Sequence, residues 1–380
     1  MKTETNARTL SDALAVLKRY AGTNGPTKAA AYVEITSEED AGTITLRRWA
    51  WKTGTDVTAR FAARNVDGET TRAYVDADAL ATAVKGRKGT ATLTVDGDRL
   101  TIAMDDGNAS IPLRDGANYP DRAAFHWMDA GTVMNDEADA LRSVVAVANR
   151  KDNWRAVLGA VRFDSDAGTA TATDTYRMHV ARLRGLKRSA LIPADALAIA
   201  LATIGNGGIL SFGVSPEDEG FFTLAYNVTK GTSKLPRFVA YSITGRTVKG
   251  PFPSTDTIVA TAQERTSTVW TIRDAAGTAD VLASFANTRN IPSILTAAGS
   301  AVRVSATEDG TTRDALAPIV TDGDTIGGDP SIAFNARYFA DAVKLAGDGA
   351  PIALSDGLRP AIFGSTDADA YALLMPMRTS

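Results

Sequence analysis

The stretch DADALATAVKGRKGTATLTVDGDRLTIAM, residues 76–104, contains a helix signal followed at once by a hairpin signal. Asp76 suits a helix N-cap, the alanine-rich segment after it has a small apolar stripe, and Gly86 stands where a helix would end. From residue 89 onward apolar side chains alternate with polar ones, and Asp96-Gly97 marks a hairpin turn. The stretch therefore predicts a short helix packed beside antiparallel strands.

The same helix-then-strands pattern occurs six times along the chain. Apolar residues at helical spacing, as at Leu141, Val144 and Val145, indicate helices with one buried face. The residues expected to act as N-caps are Thr9, Asp76, Asn135 and Asn335. The predicted helices cover residues 9–22, 76–86, 135–150, 193–205, 277–289 and 335–347.

The length and the spacing of the repeats indicate three domains. A chain of 380 residues exceeds the size at which a single core usually stops growing, about 250–300 residues. Each third of the chain holds two helix-plus-strands units, and such a long period indicates repeated domains. The sequence predicts an α+β fold of three tandem domains, residues 1–130, 131–263 and 264–380, each with two helices packed on antiparallel sheets.

The composition limits the class of protein. With 41 basic and 44 acidic residues the net charge is -3, which argues against general coating by nucleic acid but allows one basic face. No apolar run approaches the roughly 20 residues that span a bilayer, and the first ten residues, MKTETNARTL, are polar rather than leader-like. We therefore expect a cytoplasmic protein with no membrane segment.

Signals for catalysis or a cofactor are weak. The chain has no cysteine and only two histidines, His126 and His179, so histidine-based triads and Cys-ligated zinc are nearly excluded. The segment GTNGPTK (22–28) lacks phosphate-loop spacing. Acidic pairs occur at 105–106 and at 322 and 324, in glycine-rich turns where acidic residues are common anyway. We expect no enzyme activity, no metal and no cofactor.

Several segments, taken in order, resemble the bacterial DNA polymerase III beta subunit, the replicative sliding clamp. Each motif is short, but their order and spacing over nearly the whole chain make the combination specific. They are AYVDADAL (73–80), ATDTYRMHVARL (172–183), LIPADALA (191–198), the Phe-Pro pair at 252–253, IAFNARYFADAVKL (332–345) and the terminal LLMPMR (373–378).

The resemblance implies a fold and a function. Each chain would form three DNA-clamp domains, and two chains would close head to tail into a dimeric ring with helices lining the central hole. Such a ring would encircle duplex DNA without reading its sequence, tether the replicative polymerase at the replication fork, and be opened by a clamp loader. The implied protein is a non-catalytic processivity factor.

In such a ring, lysines and arginines on the helices would meet the phosphates, although ordinary solvated surface is the alternative for each residue taken singly. The helix at 193–205 has no basic residue, so the lining would be uneven. The residues expected to face DNA are Lys18, Arg19, Lys28, Lys85, Arg87, Lys88, Arg142, Arg150, Lys151, Arg289, Arg337 and Lys344.

The resemblance also implies a pocket for partner peptides between the second and third domains. Methionines suit a shared docking site because they adapt to different side chains, and Arg177 and Arg378 could anchor polar ends of a partner. The alternative for Leu158, Met178 and Leu373 is a place in the core. The expected pocket residues are Arg155, Leu158, Thr173, Thr175, Tyr176, Arg177, Met178, Pro253, Thr257, Ile258, Leu358, Pro360, Leu373, Met375, Pro376, Met377 and Arg378.

The sequence also departs from the family pattern. The family usually has glycine where Thr175 stands and arginine where Thr257 stands, and the stretch 215–236 is longer than the usual hairpin. These differences motivate a rival hypothesis, a clamp-fold protein that sequesters clamp-binding partners without being loaded on DNA, for example a divergent phage copy. A second rival is a hydrolytic enzyme on a β-rich scaffold, which the supply of histidine and cysteine disfavours.

The C-terminal segment YALLMPMRTS (371–380) is apolar where chain ends are usually polar. We interpret residues 371–374 as the closing strand of the third domain. Residues 375–378 are then expected to form the rim of the pocket that the TDTYRM segment shares.

Overall fold

The structure is a computed structural model that describes most of the chain in fifteen segments. The described residues are 1–21, 28–37, 42–51, 53–67, 70–121, 125–150, 155–205, 208–216, 220–232, 235–285, 292–298, 301–308, 311–321, 331–355 and 358–378. The side chains of residues 21, 28, 232, 235, 236, 298, 308 and 331 lie outside this description.

The described residues form seven α-helices separated by strands. The helices are α1 (Ala7–Ala21), α2 (Ala77–Val84), α3 (Ala138–Val147), α4 (Ala194–Ile204), α5 (Thr255–Glu264), α6 (Ala275–Phe285) and α7 (Ala336–Ala346). The strands of the first half are β1 (Lys2–Asn6), β2 (Tyr32–Ser37), β3 (Thr43–Ala50), β4 (Thr55–Asn65), β5 (Thr71–Asp76), β6 (Thr90–Asp96), β7 (Arg99–Met104), β8 (Gly107–Pro112), β9 (Met128–Val133), β10 (Ala160–Asp164), β11 (Thr169–Thr173), β12 (Arg177–Arg182), β13 (Gly185–Leu186) and β14 (Ala190–Pro193).

The strands of the second half are β15 (Leu210–Val214), β16 (Phe221–Thr232), β17 (Leu235–Arg246), β18 (Thr268–Ile272), β19 (Pro292–Ala298), β20 (Ala301–Glu308), β21 (Thr311–Ala317), β22 (Ile319–Thr321), β23 (Ser331–Asn335), β24 (Pro351–Leu354), β25 (Ala361–Phe363) and β26 (Ala370–Leu374).

Contacts divide the chain into two compact units, the first with one large sheet and the second with a larger and a smaller sheet. The first unit comprises Met1–Asn135 and Asp195–Thr247. Its antiparallel strands follow the order β9-β15-β16-β17-β4-β1-β6-β7-β8, with β3, β2 and β5 continuing from β4. Helix α1 packs against β3 and β4 through Leu10, Leu14 and Leu17, which are buried at helical spacing.

The second unit comprises Asp136–Ala194 and Val248–Ser380. Its larger sheet runs β14-β10-β11-β12-β26-β25-β24-β18-β22, and its smaller sheet runs β21-β20-β19-β23. Helices α6 and α7 pack over an aromatic core in which Phe339 contacts Phe334 (5.4 Å between ring centroids) and Phe363 (4.8 Å). This packing places the buried face of α7 beside the C-terminal strand β26.

Both sheets cross the boundaries that the sequence predicts. In the first unit β4 pairs with β17, so strands from the stretches 1–130 and 131–263 share one hydrogen-bonded ladder. In the second unit β12 pairs with β26, which joins the stretches 131–263 and 264–380 in the same way. Because the sheets continue from one predicted domain into the next, they do not mark where a domain ends. The boundaries at 130 and 263 therefore stay a prediction.

The hairpin that decides the local fold is present in the expected register. Asp96 pairs with Arg99 at the end of β6 and β7, and Gly97 has φ 56°, the left-handed conformation that this tight turn requires. Leu93, Leu100 and Ile102 are buried on one face of the ladder. The alternating pattern therefore predicted both the strands and the buried side.

Two N-cap predictions are right and two are wrong. The side chains of Asp76 and Asn335 accept hydrogen bonds from the N–H groups of Ala79 and Tyr338. Helix α1 instead begins at Ala7, and Asn6 caps it by accepting from the N–H of Thr9 at 3.1 Å. The N-cap of α3 is Glu137, because Asn135 starts a single 3-10 turn before the α-helix.

The prediction of six helices missed α5. Its sequence, TDTIVATAQE, contains four β-branched residues in its first five positions and buries only Thr255 and Ala262. A short helix with so few buried residues gives little periodic signal in the sequence. Its formation depends on tertiary packing rather than on helix propensity. None of the described helices is long and apolar enough to cross a membrane.

Candidate functional site

The turn between β11 and β12 is fixed by its own side chains. Asp174 Oδ1 accepts hydrogen bonds from the N–H groups of Tyr176 and Arg177, both at 3.0 Å. Thr173 Oγ1 donates to the carbonyl of Arg177 and accepts from the N–H of Thr175. These bonds hold Thr175 at φ 78°. Among the described residues, Thr175 is the one residue other than glycine with a positive φ. Tyr176 follows with 64% of its surface exposed.

The C-terminal segment lies directly beside this turn. Strand β26 pairs with β12, with Leu373 opposite Met178 and Leu374 opposite Arg177. Beyond the strand, the N–H of Met375 donates to the carbonyl of Tyr176 at 2.8 Å. The two segments, some two hundred residues apart in sequence, therefore form one continuous surface, as the position of the closing strand predicted.

Helix α5 supplies a third side. Met178, Ala262 and Leu373 belong to one small apolar cluster, in which residues of α5 pack on the β12–β26 pair. Because Thr255 and Ile258 are one helical turn apart, they present neighbouring side chains to the space above the sheet. The helix thus converts an open sheet surface into a concave one.

These elements enclose a cavity of about 200 Å³. Its floor is apolar and buried, with Met178 and Leu373 only 4% and 3% exposed, whereas Tyr176, Ile258 and Met375 are exposed at the rim. The described residues that line it are Thr173, Thr175, Tyr176, Arg177, Met178, Pro253, Thr255, Ile258, Pro360, Leu373 and Met375. An apolar floor with a half-exposed aromatic and aliphatic rim suits a hydrophobic side chain of a bound ligand.

The positive charge of Arg177 is balanced by two carboxylates of the second unit. Its Nε lies 3.0 Å from Asp174 Oδ2, and its Nη1 lies 2.6 Å from Asp341 Oδ2 on α7. Its guanidinium also lies 4.0 Å from the ring centroid of Tyr338. With two carboxylates already bound, Arg177 holds the turn against α7 and has little charge left to anchor an acidic partner. Asp341 and Tyr338 gave no signal in the sequence, since only the fold brings α7 to this strand.

Seven predicted pocket residues do not line the cavity. Thr257 is exposed on another face of α5, where its hydroxyl lies 3.1 Å from that of Ser254, and Thr255 takes the place expected for it. Leu158 is buried in a 3-10 turn and Leu358 is 67% exposed. Met377 donates its N–H to the carbonyl of Ala333. The others, which are exposed or half-buried, are Arg155, Pro376 and Arg378.

In the first unit the predicted DNA-facing residues are exposed or half-buried, and two of them form ion pairs. Lys18 Nζ lies 2.9 Å from Asp78 Oδ1 on α2, and Arg87 lies 2.7 Å from Asp106. Arg19, Lys85 and Lys88 are exposed. Lys28 lies in a 3-10 turn, and its side chain is outside the description.

In the second unit Arg337 and Lys344 are exposed on α7, and Arg150 is exposed after α3. Arg142 pairs with Asp139 one turn earlier on α3. Lys151 and Arg289 lie outside the described residues. Surface ion pairs of this kind contribute little stability.

The described residues offer little for catalysis. Ser143 Oγ lies 2.9 Å from Nδ1 of His179, but His179 is buried. Burial, followed by the positive charge of Arg177, lowers the pKa of His179 to about 3, so the neutral ring is too weak a base to activate serine. His126 is exposed. No group of three or more His, Asp or Glu residues among those described could hold a metal ion.

The comparisons with known proteins identify the fold. No protein-family model matches the sequence, and no curated protein is detectably similar to it. Among solved structures, the Pseudomonas aeruginosa DNA polymerase III subunit beta superposes with a TM-score of 0.79 at 14% identity, covering 100% of both chains. The C. crescentus beta sliding clamp gives a TM-score of 0.79 at 16% identity, covering 100% of this chain and 99% of that one. The H. pylori beta clamp bound to a DNA ligase peptide gives 0.77 at 13%, covering 100% of both. The chain therefore has the α+β fold of the bacterial beta clamps over its whole length.

Proposed function

We propose that this protein is a DNA sliding clamp, a non-catalytic processivity factor that encircles duplex DNA and tethers a replicative polymerase. The observation that carries the proposal is the beta-clamp fold over the full length, together with the cavity that the TDTYRM turn and the C-terminal segment build. Tethering raises the effective concentration of the polymerase at the primer end and needs no chemistry from the clamp.

The cavity would take an apolar side chain from a peptide segment of the polymerase or the clamp loader. One structural neighbour, the H. pylori clamp, is bound to a DNA ligase peptide, which supports peptide docking as the use of this fold. Met178 and Met375 adapt to more than one partner side chain, and the exposed Tyr176 can close over a bound segment. Of the remaining predicted pocket residues, those that are exposed or half-buried would contact the peptide outside the cavity, whereas the buried Leu158 would support the fold; the exposed or half-buried ones are Arg155, Thr257, Leu358, Pro376, Met377 and Arg378.

Contact with DNA would rest on the exposed lysines and arginines of the helices and the segments after them. Lys85, Lys88, Arg337 and Lys344 are exposed, and such side chains attract phosphates without distinguishing bases. Sequence-independent attraction is what a ring that slides along DNA requires.

Ring closure would use the free edges of the sheets. Strand β8 ends the sheet of the first unit and β21 ends the smaller sheet of the second, and no described strand pairs with their outer sides. Exposed edges of this kind promote pairing with another chain. We propose that β8 of one chain meets β21 of the other, twice, in a head-to-tail homodimer whose chains each contain domains 1–130, 131–263 and 264–380.

The experiment that tests this function is light scattering after gel filtration, followed by retention on circular DNA. A dimer of about 80 kDa, twice the chain mass of 39.9 kDa, that stays on nicked circular DNA and leaves when the circle is cut is the expected result. A monomer at micromolar concentration that is not retained on the circle would contradict the ring.

A second function is favoured by one observation. The exposed residues of α4 include no lysine or arginine, so this helix offers nothing to the phosphates. A clamp-fold protein that binds partners without being loaded on DNA would show the same feature. Stimulation of polymerase processivity by the protein would exclude this sequestering function. The named structural neighbours are bacterial, and nothing in them supports a phage origin, which we do not propose.

A further inference from the structure

The β16–β17 hairpin projects beyond the sheet of the first unit. All twelve residues of β16 pair with β17, from Phe221 with Arg246 to Thr232 with Leu235. The neighbouring strands pair with only part of this ladder. Strand β15 pairs with β16 only as far as Tyr226, and β4 pairs with β17 only as far as Val239. The last four pairs of the ladder therefore have no strand on either side among the described residues. A two-stranded ribbon of this kind is barely stable unless something holds it.

Helix α1 holds the ribbon by a carboxylate. Lys230 Nζ lies 3.7 Å from Asp12 Oδ1 and Arg237 Nη1 lies 3.3 Å from Asp12 Oδ2. Lys230 and Arg237 are a cross-strand pair, so both cations lie on the face of the ribbon that meets α1. Phe238, on the opposite face, is 61% exposed. Two cations share one carboxylate, which leaves a net positive charge at the contact.

The ribbon also belongs to an acid-free stretch of sequence. From residue 220 to residue 255 the chain has no aspartate or glutamate, although acidic residues outnumber basic ones in the whole protein. Within this stretch the basic residues are Lys230, Lys234, Arg237, Arg246 and Lys249. Lys230 and Arg237 pair near one end of the ladder, whereas Arg246 pairs with Phe221 at the other end, so the local positive field that attracts polyanions at the ribbon comes from Lys230 and Arg237.

The ribbon reaches the basic face of α1. Arg8, Asp12 and Arg19 lie on one side of the helix, because they are four and seven residues apart. Arg8 and Arg19 are exposed, and Asp12 between them is where the ribbon contacts the helix. The cations of the ribbon therefore reach the same side of α1 as Arg8 and Arg19, and Asp12 is the carboxylate that Lys230 and Arg237 neutralise there.

We infer that the part of the β16–β17 ribbon with the Lys230–Arg237 pair is an additional phosphate-contacting element for duplex DNA, acting together with the exposed face of α1. This inference rests on the proposed clamp function, which supplies the DNA. The ribbon and α4 belong to the same unit, and the cations of the ribbon would compensate for those that α4 lacks. Lys230, which is half-exposed, is the side chain that meets phosphate, and Arg237, which is 22% exposed, positions the ribbon on α1.

Fluorescence anisotropy with a short labelled duplex, titrated from about 50 to about 200 mM NaCl, tests the inference. Lys230→Ala should weaken binding several-fold and reduce the slope of log affinity against log salt by about 0.9, the value for one lost phosphate contact. Lys230→Arg should retain the slope of the unmodified protein. Lys249→Ala, which removes an exposed lysine of the same acid-free stretch outside the hairpin, is the matched control and should bind like the unmodified protein.

A second variant separates DNA contact from a purely structural role. Asp12→Asn removes the carboxylate that neutralises both cations, so it should strengthen DNA binding while lowering the melting temperature slightly. If the hairpin only stabilises the unit, Asp12→Asn and Lys230→Ala would change the melting temperature and leave DNA affinity equal to that of the control. That result overturns the inference but not the clamp, whereas a failure of the unmodified protein to stay on nicked circular DNA overturns both.

Discussion

Thr175 occupies a backbone conformation that β-branched residues rarely adopt. Its φ of 78° is fixed by two hydrogen bonds: the N–H of Thr175 donates to Thr173 Oγ1, and the N–H of Tyr176 donates to Asp174 Oδ1. The turn cannot relax without losing them. Strain of this kind costs about 1–3 kcal/mol and concentrates at functional sites. The position that the family usually gives to glycine is therefore strained here at the rim of the cavity.

Replacing Thr175 by glycine should raise the free energy of unfolding by about 1 kcal/mol, because glycine adopts positive φ without strain and the gain exceeds its extra chain entropy. Urea unfolding measures the difference. Thr257→Gly, the same substitution at an exposed position inside α5, should have the opposite sign, with a loss of about 0.5 kcal/mol. Equal effects at both positions would show that the turn is not strained.

His179 should make the protein sensitive to mild acid. Because burial and Arg177 lower its folded-state pKa to about 3, the unfolded chain, with an ordinary histidine pKa near 6.5, takes up the proton first. The stability that the neutral ring contributes is complete above about pH 6.5 and is lost as the pH falls towards 3, by at most about 1.4 kcal/mol per pH unit.

Urea unfolding between about pH 4 and about pH 7 measures this dependence. The variant His179→Gln should lose part of the slope, and the remaining slope comes from carboxylates. His126→Gln, which removes an exposed histidine, is the matched control. If both variants flatten the profile equally, the buried ring is not the cause.

At the scale of elements, a buried arginine joins the sheet of the first unit to the segment that follows β8. Arg47 on β3 is 1% exposed and binds Asp56 through Nε and Glu34 through Nη1, at 2.7 and 2.9 Å. The same guanidinium donates to the carbonyls of Pro120 and Asp121. Burial acts to lower the pKa of Arg47, but the carboxylates of Asp56 and Glu34 raise it overall, so the side chain stays charged. Arg47 thereby fixes the NYPD segment against β3.

Replacing Arg47 by methionine should lower the free energy of unfolding by about 3–5 kcal/mol, since Glu34 is equally buried and loses its closest cation. Arg99→Met is the control, because Arg99 on β7 is exposed and bonds mainly to Ser110. That variant should lose less than about 1 kcal/mol. Thermal or urea unfolding compares the two, and similar losses would contradict a special role for the Arg47 network.

At the scale of the whole molecule, the C-terminal segment separates two properties of the proposed ring. Strand β26 is part of the sheet, whereas residues 376–378 lie beyond it, and the N–H of Met377 donates to the carbonyl of Ala333. The edges proposed for ring closure, β8 and β21, lie elsewhere in the sheets. Oligomerisation and partner docking should therefore respond to different changes.

Deleting residues 376–380 should leave the dimer and its retention on circular DNA intact but uncouple it from the polymerase, so that primer extension becomes distributive. Tyr176→Ala, a change at the exposed rim of the cavity, should act in the same direction without shortening the chain. Met134→Ala, which removes an exposed methionine of the first unit, should leave processivity unchanged. Full processivity of both the truncated ring and Tyr176→Ala would show that the cavity and the segment beside it are not the docking site.

Sequence patterns predicted the periodic parts of this molecule. Helix α7 and the β6–β7 hairpin were predicted because their buried faces repeat at 3.6 or 2 residues and their ends have capping or turn residues, and α3 was predicted from its buried face alone. Helix α5 escaped because only two of its ten residues are buried, which leaves almost no periodic signal. For the same reason the sequence could not show that Thr255 rather than Thr257 lines the cavity, since that depends on which side of the helix faces the sheet.

By itself, the sequence determined the α+β class, the strand–helix alternation, and the short motifs at 172–183 and 373–378 that resemble a clamp, because all of these depend on residues close together in the chain. Tertiary structure alone decided that Met178 lies opposite Leu373, that Asp341 compensates Arg177, and that Asp12 holds the hairpin. These contacts join residues 164 or more positions apart, and no local pattern of side chains specifies which distant strand or helix will be its neighbour.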